Sequence, residues 1–185
     1  MPFVRSASLI SEPFVLVAES FSTPLAIQYA ATNPPNLKGV VVCTGFVTSP
    51  VRGWRRFIYS LLSPFSFGVA PPEFVTRRLL IGPNAPPLLA ASVRAAISMV
   101  SPKVLSTRLG LVLACDVRAE LRQVTAPILY LQAGQDHLVD SSCLEEILKI
   151  KPQTSVTVIA GPHLLFQREP QRSADVVSEY IQQLV

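Results

Sequence analysis

Two short apolar runs, Phe14-Val15-Leu16-Val17-Ala18 and Gly39-Val40-Val41-Val42-Cys43, bracket a helical stretch, and that pairing restricts the possible folds more than any other feature of the chain. Continuous, β-branched runs without polar alternation are what strands buried on both faces of a parallel sheet require. Between them, Pro24 suits a first helical turn, Leu25, Ala26, Tyr29 and Ala30 form a helical stripe, and Asn33-Pro34-Pro35 ends it, so a helix is expected over Ser22 to Thr32. The same grammar returns near the C-terminus, with strands expected at Pro127 to Ala133 and Ser155 to Ala160, and helices at Cys143 to Lys149 and Ser173 to Leu184. Strands alternating with helices predict an α/β fold, a mostly parallel sheet of about four strands flanked by helices. Residues 47–122 carry no convincing strand, only Pro-punctuated helical candidates near 53–62, 72–80, 88–100 and 102–113. The expected organisation is a core of residues 1–46 and 123–185 with a helical cap insertion at 47–122, which a chain of 185 residues accommodates as one domain.

Composition narrows the class further. Hydrophobic residues make up 49% and charged residues 15% of the chain, against a usual charged share of about 25%, which excludes a disordered or coiled-coil protein. The longest charge-free stretches, such as Phe57 to Pro72, are broken by Ser, Gly and Pro before they reach the ~18 apolar residues of a membrane span, so no transmembrane segment is expected. Glu12 interrupts the N-terminal apolar stretch and Phe14 to Ala18 is shorter than a secretory h-region, so a cytoplasmic location is expected. Cys43, Cys115 and Cys143 are odd in number and lack C-x-x-C spacing, which favours free thiols over a disulfide framework or a zinc site. The net charge of +4 is uneven: Lys38 to Cys115 holds nine Lys or Arg against Glu73 alone. Arg52, Arg55, Arg56, Arg77 and Arg78 lie in that stretch, but no nucleic-acid motif accompanies them, and a solvated basic helix face is the expectation.

In an open parallel sheet, ligands bind beyond the carboxyl ends of the strands, so the residues just after each strand carry the information. The first strand runs into Ala18-Glu19-Ser20-Phe21-Ser22 and then directly into a helix, a nucleophile elbow of the G-x-S-x-G type with Ala and Ser at the two glycine positions. Small residues are needed there because the sharp turn presses both positions against neighbouring backbone. The third strand is followed by Gly134-Gln135-Asp136-His137, and the fourth by Gly161-Pro162-His163. A serine hydroxyl needs an imidazole to take its proton, and the imidazole needs a carboxylate to fix its tautomer and stabilise its charged form. Ser20, Asp136 and His163 fill those roles in that order, at the same end of one sheet. His137, directly after the candidate acid, is poorly placed to bridge to Ser20 and is expected at a loop or pocket edge.

These segments resemble the α/β-hydrolase superfamily, particularly its small bacterial esterase-like members. Pro13 to Ser22 looks like the elbow strand, Thr125 to Asp136 like the strand and loop bearing the acid, and Ile159 to His163 like the loop bearing the histidine. The resemblance runs from about residue 12 to the C-terminus and implies a serine hydrolase that cleaves carboxylic esters of small to medium acyl chains through an acyl-enzyme, with no cofactor. It implies Ser20 as nucleophile, His163 as base, Asp136 as orienting acid and the Phe21 amide as one oxyanion donor. Trp54 and Phe57 in the cap would line the acyl pocket. The superfamily usually carries further strands before the elbow, one loop of which supplies the second oxyanion donor, and only about 13 residues precede the elbow strand in this sequence. The fold expected is therefore an N-terminally truncated α/β-hydrolase, and the alternative function is a non-catalytic binding or interaction protein, or an inactive fragment. An elbow strand without those neighbours has an open apolar edge, so a homo-oligomer joined near residues 1–20 is expected.

Overall fold

Among residues 10–51 and 72–184, which the computed structural model describes, four strands form one parallel sheet: β1 (Phe14–Glu19), β2 (Leu37–Cys43), β3 (Ile128–Ala133) and β4 (Ser155–Ile159), in that spatial order. Each expected strand is present, within two residues of its expected limits. The central strands are buried on both faces because their side chains alternate between two apolar layers. Val40, Val42, Ile128 and Tyr130 face one layer with Ile27, Leu144 and Ile147, whereas Val41, Cys43, Leu129 and Leu131 face the other with Ile159, Leu165, Val176 and Tyr180.

Helix α1 (Thr23–Ala30) has Pro24 in its first turn and buries Ala26, Ile27 and Ala30 against the sheet. Asn33 ends the excursion with a φ of 49°, a left-handed conformation that Asn tolerates better than most residues. Its side chain also ties that corner to the chain ahead of β3, accepting from the Thr125 amide at 3.1 Å and hydroxyl at 2.7 Å.

Between β2 and β3 the described residues form α2 (Glu73–Thr76), a π-helical turn (Arg77–Ile81), α3 (Pro87–Ser98), α4 (Pro102–Leu113) and α5 (Arg118–Gln123). This matches the helical candidates at 72–80, 88–100 and 102–113; the candidate at 53–62 lies outside the described residues. The segment leaves and rejoins the core at neighbouring points. An isolated bridge pairs Thr48 with Asp116, and amides of Ser49 and Val117 donate to carbonyls of Cys115 and Val47. Val117, Leu121 and Val124 pack into the first apolar layer, so α5 rests on the sheet rather than on α3 and α4.

After β3 come α6 (Ser141–Ile150), α7 (Leu165–Arg168) and α8 (Pro170–Gln182). The Asp140 side chain caps α6 by accepting from the Ser142 amide at 2.9 Å. In α8, Ser173, Val176 and Tyr180 make one buried stripe, and the Tyr180 hydroxyl donates to the Pro127 carbonyl at 2.8 Å. The three cysteines are free thiols. Cys43 and Cys143 are buried, and burial pushes the half-buried Cys115 thiol up to about 11, with Asp116 adding to the shift. Among the described residues no single helix is long and apolar enough to cross a membrane, and α3 and α4 are bent 96° from one another.

Candidate active site

The sheet register carries the first site residue into place. Glu19 pairs with Cys43 at the carboxyl ends of β1 and β2, and Ser20 comes next with a φ of 54°. Left-handed backbone in a non-glycine residue is strained, and strain of this kind is held in place by the structure around it. Here the turn is fixed by a reciprocal pair: the Glu19 amide donates to Ser22 Oγ at 2.9 Å, and Ser22 Oγ donates to the Glu19 carbonyl at 2.8 Å. Ser22 therefore does more than offer a small side chain, since its hydroxyl closes the turn that projects Ser20.

The acid and histidine loops are stitched to each other. The Gly134 amide donates to the Ile159 carbonyl at 2.8 Å and the Gln135 amide to the Gly161 carbonyl at 2.9 Å, extending the β3–β4 ladder past the strand ends. Asp136 Oδ1 accepts from the amides of Leu138 at 2.8 Å and Val139 at 2.9 Å, which leaves Oδ2 directed at His163 Nδ1, 2.8 Å away. His163 Nε2 lies 2.7 Å from Ser20 Oγ. A carboxylate only accepts, so Nδ1 carries the proton that binds Asp136, and Nε2 is left to accept from the serine hydroxyl.

His163 is only 1% exposed and the Asp136 side chain 7%, so the hydrogen bond between them is shielded from water, and such bonds are stronger away from water than in it. Phe21 follows Ser20 in a short 3₁₀ turn (Ser20–Ser22) that leads into α1. Amides of a first helical turn have no intrahelical acceptor and point outward, the property an oxyanion donor needs. The Phe21 ring lies 5.8 Å from the guanidinium carbon of Arg108 on α4. A cavity of about 220 Å³ is lined by Phe21, Leu25, Phe46, Leu111 and Val112, with Gln28 and Asp116 among its polar walls; none of Ser20, Asp136 and His163 lines it.

Ser20, Asp136 and His163 are thus brought together. Trp54 and Phe57 fall outside the described residues. His137 stands apart from the triad: its Nε2 is 2.9 Å from Arg78 Nη1, an exposed contact between the acid loop and the π-helical turn. The same turn holds the histidine loop, since the Leu164 amide donates to the Leu80 carbonyl at 2.8 Å. Neither contact has a signature in the sequence, because each joins segments with no spacing rule between them. Among the described residues, no group of three or more His, Cys, Asp and Glu side chains is arranged to hold a metal ion.

An all-parallel sheet, a strained serine between its first strand and helix, and acid and histidine after its third and fourth strands are the marks of the α/β-hydrolase fold, and this chain has that fold. It superposes on a hydrolase from Oleispira antarctica with a TM-score of 0.77 at 12% identity, over 92% of this chain and 66% of that one. A thermophilic esterase from Thermogutta terrifontis gives a TM-score of 0.74 at 20% identity, over 95% and 66%. Among curated proteins, the biotin biosynthesis bifunctional protein BioHC of Cellvibrio japonicus is 27% identical over 202 residues, covering all of this chain and 39% of that protein. The chain therefore spans well under half of that curated relative and just under two thirds of those solved structures. No family model matches the chain.

Proposed function

We propose that the chain is a serine hydrolase that cleaves carboxylic esters of small to medium acyl chains through an acyl-enzyme. The observation that carries this reading is the continuous hydrogen-bonded path from Asp136 through His163 to Ser20, with links of 2.8 and 2.7 Å. Ser20 Oγ attacks the ester carbonyl as His163 Nε2 takes its proton, and Asp136 stabilises the imidazolium that results. The carbonyl oxygen gains negative charge in the tetrahedral intermediate, and the Phe21 amide donates to it. Collapse breaks the C–O bond to the alcohol, which leaves with the proton from His163 Nε2, and Ser20 is acylated. Water then repeats the sequence, with His163 as base and Ser20 as the leaving group. We assign the acyl group to the mostly apolar cavity that Phe21, the residue after the nucleophile, lines together with Leu25, Phe46, Leu111 and Val112.

The test is turnover of p-nitrophenyl acetate and butyrate by the wild-type chain and by Ser20→Ala. Alanine removes only Oγ and accepts the same turn within the cost Ser20 already bears, so the far-UV spectrum should be unchanged. Hydrolysis is expected to fall in the variant to the rate of free imidazole or buffer. Retention of most of the activity in Ser20→Ala would overturn the reading.

A further inference from the structure

Building on the serine hydrolase reading above, we propose that Glu19 is a positioning residue, a strut that holds the histidine loop against the nucleophile elbow. Glu19 is the last residue of β1 and the immediate neighbour of Ser20. Its carboxylate reaches across to α7, whose first residue, Leu165, lies two positions after His163. Oε1 accepts from the Phe166 backbone amide at 3.1 Å, and Oε2 accepts from Gln167 Nε2 at 3.0 Å. Both oxygens of one side chain are thus engaged by consecutive residues of the segment that carries the histidine.

Other backbone ties of that segment, from the Leu164 amide to the Leu80 carbonyl and from the Gln135 amide to the Gly161 carbonyl, do not involve the Phe166 amide. Helix α7 has four residues, so its first amides have no intrahelical acceptor, and a carboxylate is the best available partner for them. Leu165 is fully buried and its amide donates to the His163 carbonyl at 3.0 Å, which couples the helix start to the backbone that carries the imidazole. From Ser20 to His163, 143 residues apart in sequence, the path through Glu19 and Phe166 involves no group that gains or loses a proton in the proposed reaction. The direct 2.7 Å contact between Ser20 and His163 is the bond the reaction itself breaks.

The carboxylate is fixed from the other side as well. The Cys43 thiol lies 3.8 Å from Oε1, and burial pushes that thiol well above its ordinary range, with Glu19 adding to the shift. Cys43 therefore stays protonated and is a weak donor to Glu19. A misplacement of about 1 Å at a reacting pair can cost ~10² in rate. A strut of this kind acts on the alignment of Ser20 and His163 and leaves substrate binding unaffected.

Glutamine can replace the strut and alanine cannot. In Glu19→Gln the amide oxygen still accepts from Phe166, and the new NH₂ donates to Gln167 once that side-chain amide turns over. The experiment compares the wild-type chain, Glu19→Ala, Glu19→Gln and Gln167→Ala. It reads kcat and KM for p-nitrophenyl acetate, hydrogen exchange of the Phe166 amide, and the His163 ring resonances. In Glu19→Ala, kcat is expected to fall 10- to 100-fold with KM within twofold of wild type. The Phe166 amide should exchange at least tenfold faster, and the His163 signals should shift or broaden. Glu19→Gln is expected within threefold of wild type on every readout, and Gln167→Ala between the two.

Equal impairment in Glu19→Gln and Glu19→Ala would overturn the proposal, as would a folded Glu19→Ala with wild-type kcat. Should Glu19→Ala not fold, the milder Gln167→Ala decides: a threefold or greater loss of kcat at unchanged KM supports the strut, and no loss rejects it. A wild-type chain without Ser20-dependent hydrolysis would instead reject the hydrolase reading, and the strut is then decided by the Phe166 and His163 signals alone. Changes in Glu19→Ala that Glu19→Gln reverses support it, and their absence overturns it.

Discussion

His163→Ala is expected to lower kcat for a p-nitrophenyl ester by about 10⁴–10⁶-fold, close to the loss in Ser20→Ala, because members of a triad act as a unit. Without the imidazole, Ser20 Oγ has no acceptor for its proton, and an alcohol is a poor nucleophile until that proton leaves. The leaving alcohol likewise loses its proton donor. Asp136→Asn tests the other end of the path and is expected to cost about 10⁴-fold. An asparagine amide facing Nδ1 donates where the carboxylate accepted, and that favours the tautomer with its proton on Nε2. Nε2–H then faces Ser20 Oγ and cannot accept from it. Steady-state kinetics beside circular dichroism separate these losses from unfolding. Activity within tenfold of wild type in a folded His163→Ala would rule out His163 as the base.

Leu131→Ala is expected to destabilise the fold by about 2–5 kcal/mol, the range for emptying a buried leucine site. Leu131 is fully buried in β3, pairs with Cys43 and Thr157, and packs in the layer formed by Val41, Leu129, Ile159, Leu165 and Val176. Its carbonyl also accepts from the Thr44 amide at 2.9 Å, so β2 and β3 have little freedom to close over the lost volume. Domains of this size are stable by roughly 5–15 kcal/mol, which makes the loss a large share of the total. Urea unfolding checks it: the midpoint should fall with little change in slope. Leu88→Ala is the control, since Leu88 on α3 is 79% exposed and its truncation should move the midpoint little. A Leu131→Ala midpoint equal to that of Leu88→Ala would show that the layer is not packed as described.

The strands were legible because the requirement for two-sided burial writes itself into local sequence. Val40-Val41-Val42 and Ile128 to Leu131 have no polar alternation, and each proved to feed both apolar layers. Ser20, Asp136 and His163 were legible for a related reason: in a parallel sheet the carboxyl ends of β1, β3 and β4 lie along one edge, with β2 between the first two, and chemistry-bearing residues follow those strands within four positions. Helix α7 was missed because four residues are too few to show a period of 3.6, and the π-helical turn at Arg77–Ile81 has no compositional sign. The contacts of Glu19 with Phe166 and of Arg78 with His137 were invisible for a deeper reason. They join segments 147 and 59 residues apart that are neighbours only in the folded arrangement of the sheet and the helices above it. The role expected of Trp54 and Phe57 concerns residues outside those described, whereas the cavity at Phe21 and Leu111 places apolar walls against the residue next to the nucleophile.

Covalent capture decides whether Ser20 is an activated nucleophile. A fluorophosphonate is attacked at phosphorus by an activated serine, fluoride leaves, and a stable phosphonyl ester remains on Oγ. The intact mass of the wild-type chain is expected to rise by one phosphonyl group, with peptide mapping placing it on Ser20. Ser20→Ala and His163→Ala should stay unmodified over the same time. Folded wild-type chain that gains no mass, or a phosphonyl group found on a residue other than Ser20, would rule out Ser20 as the nucleophile.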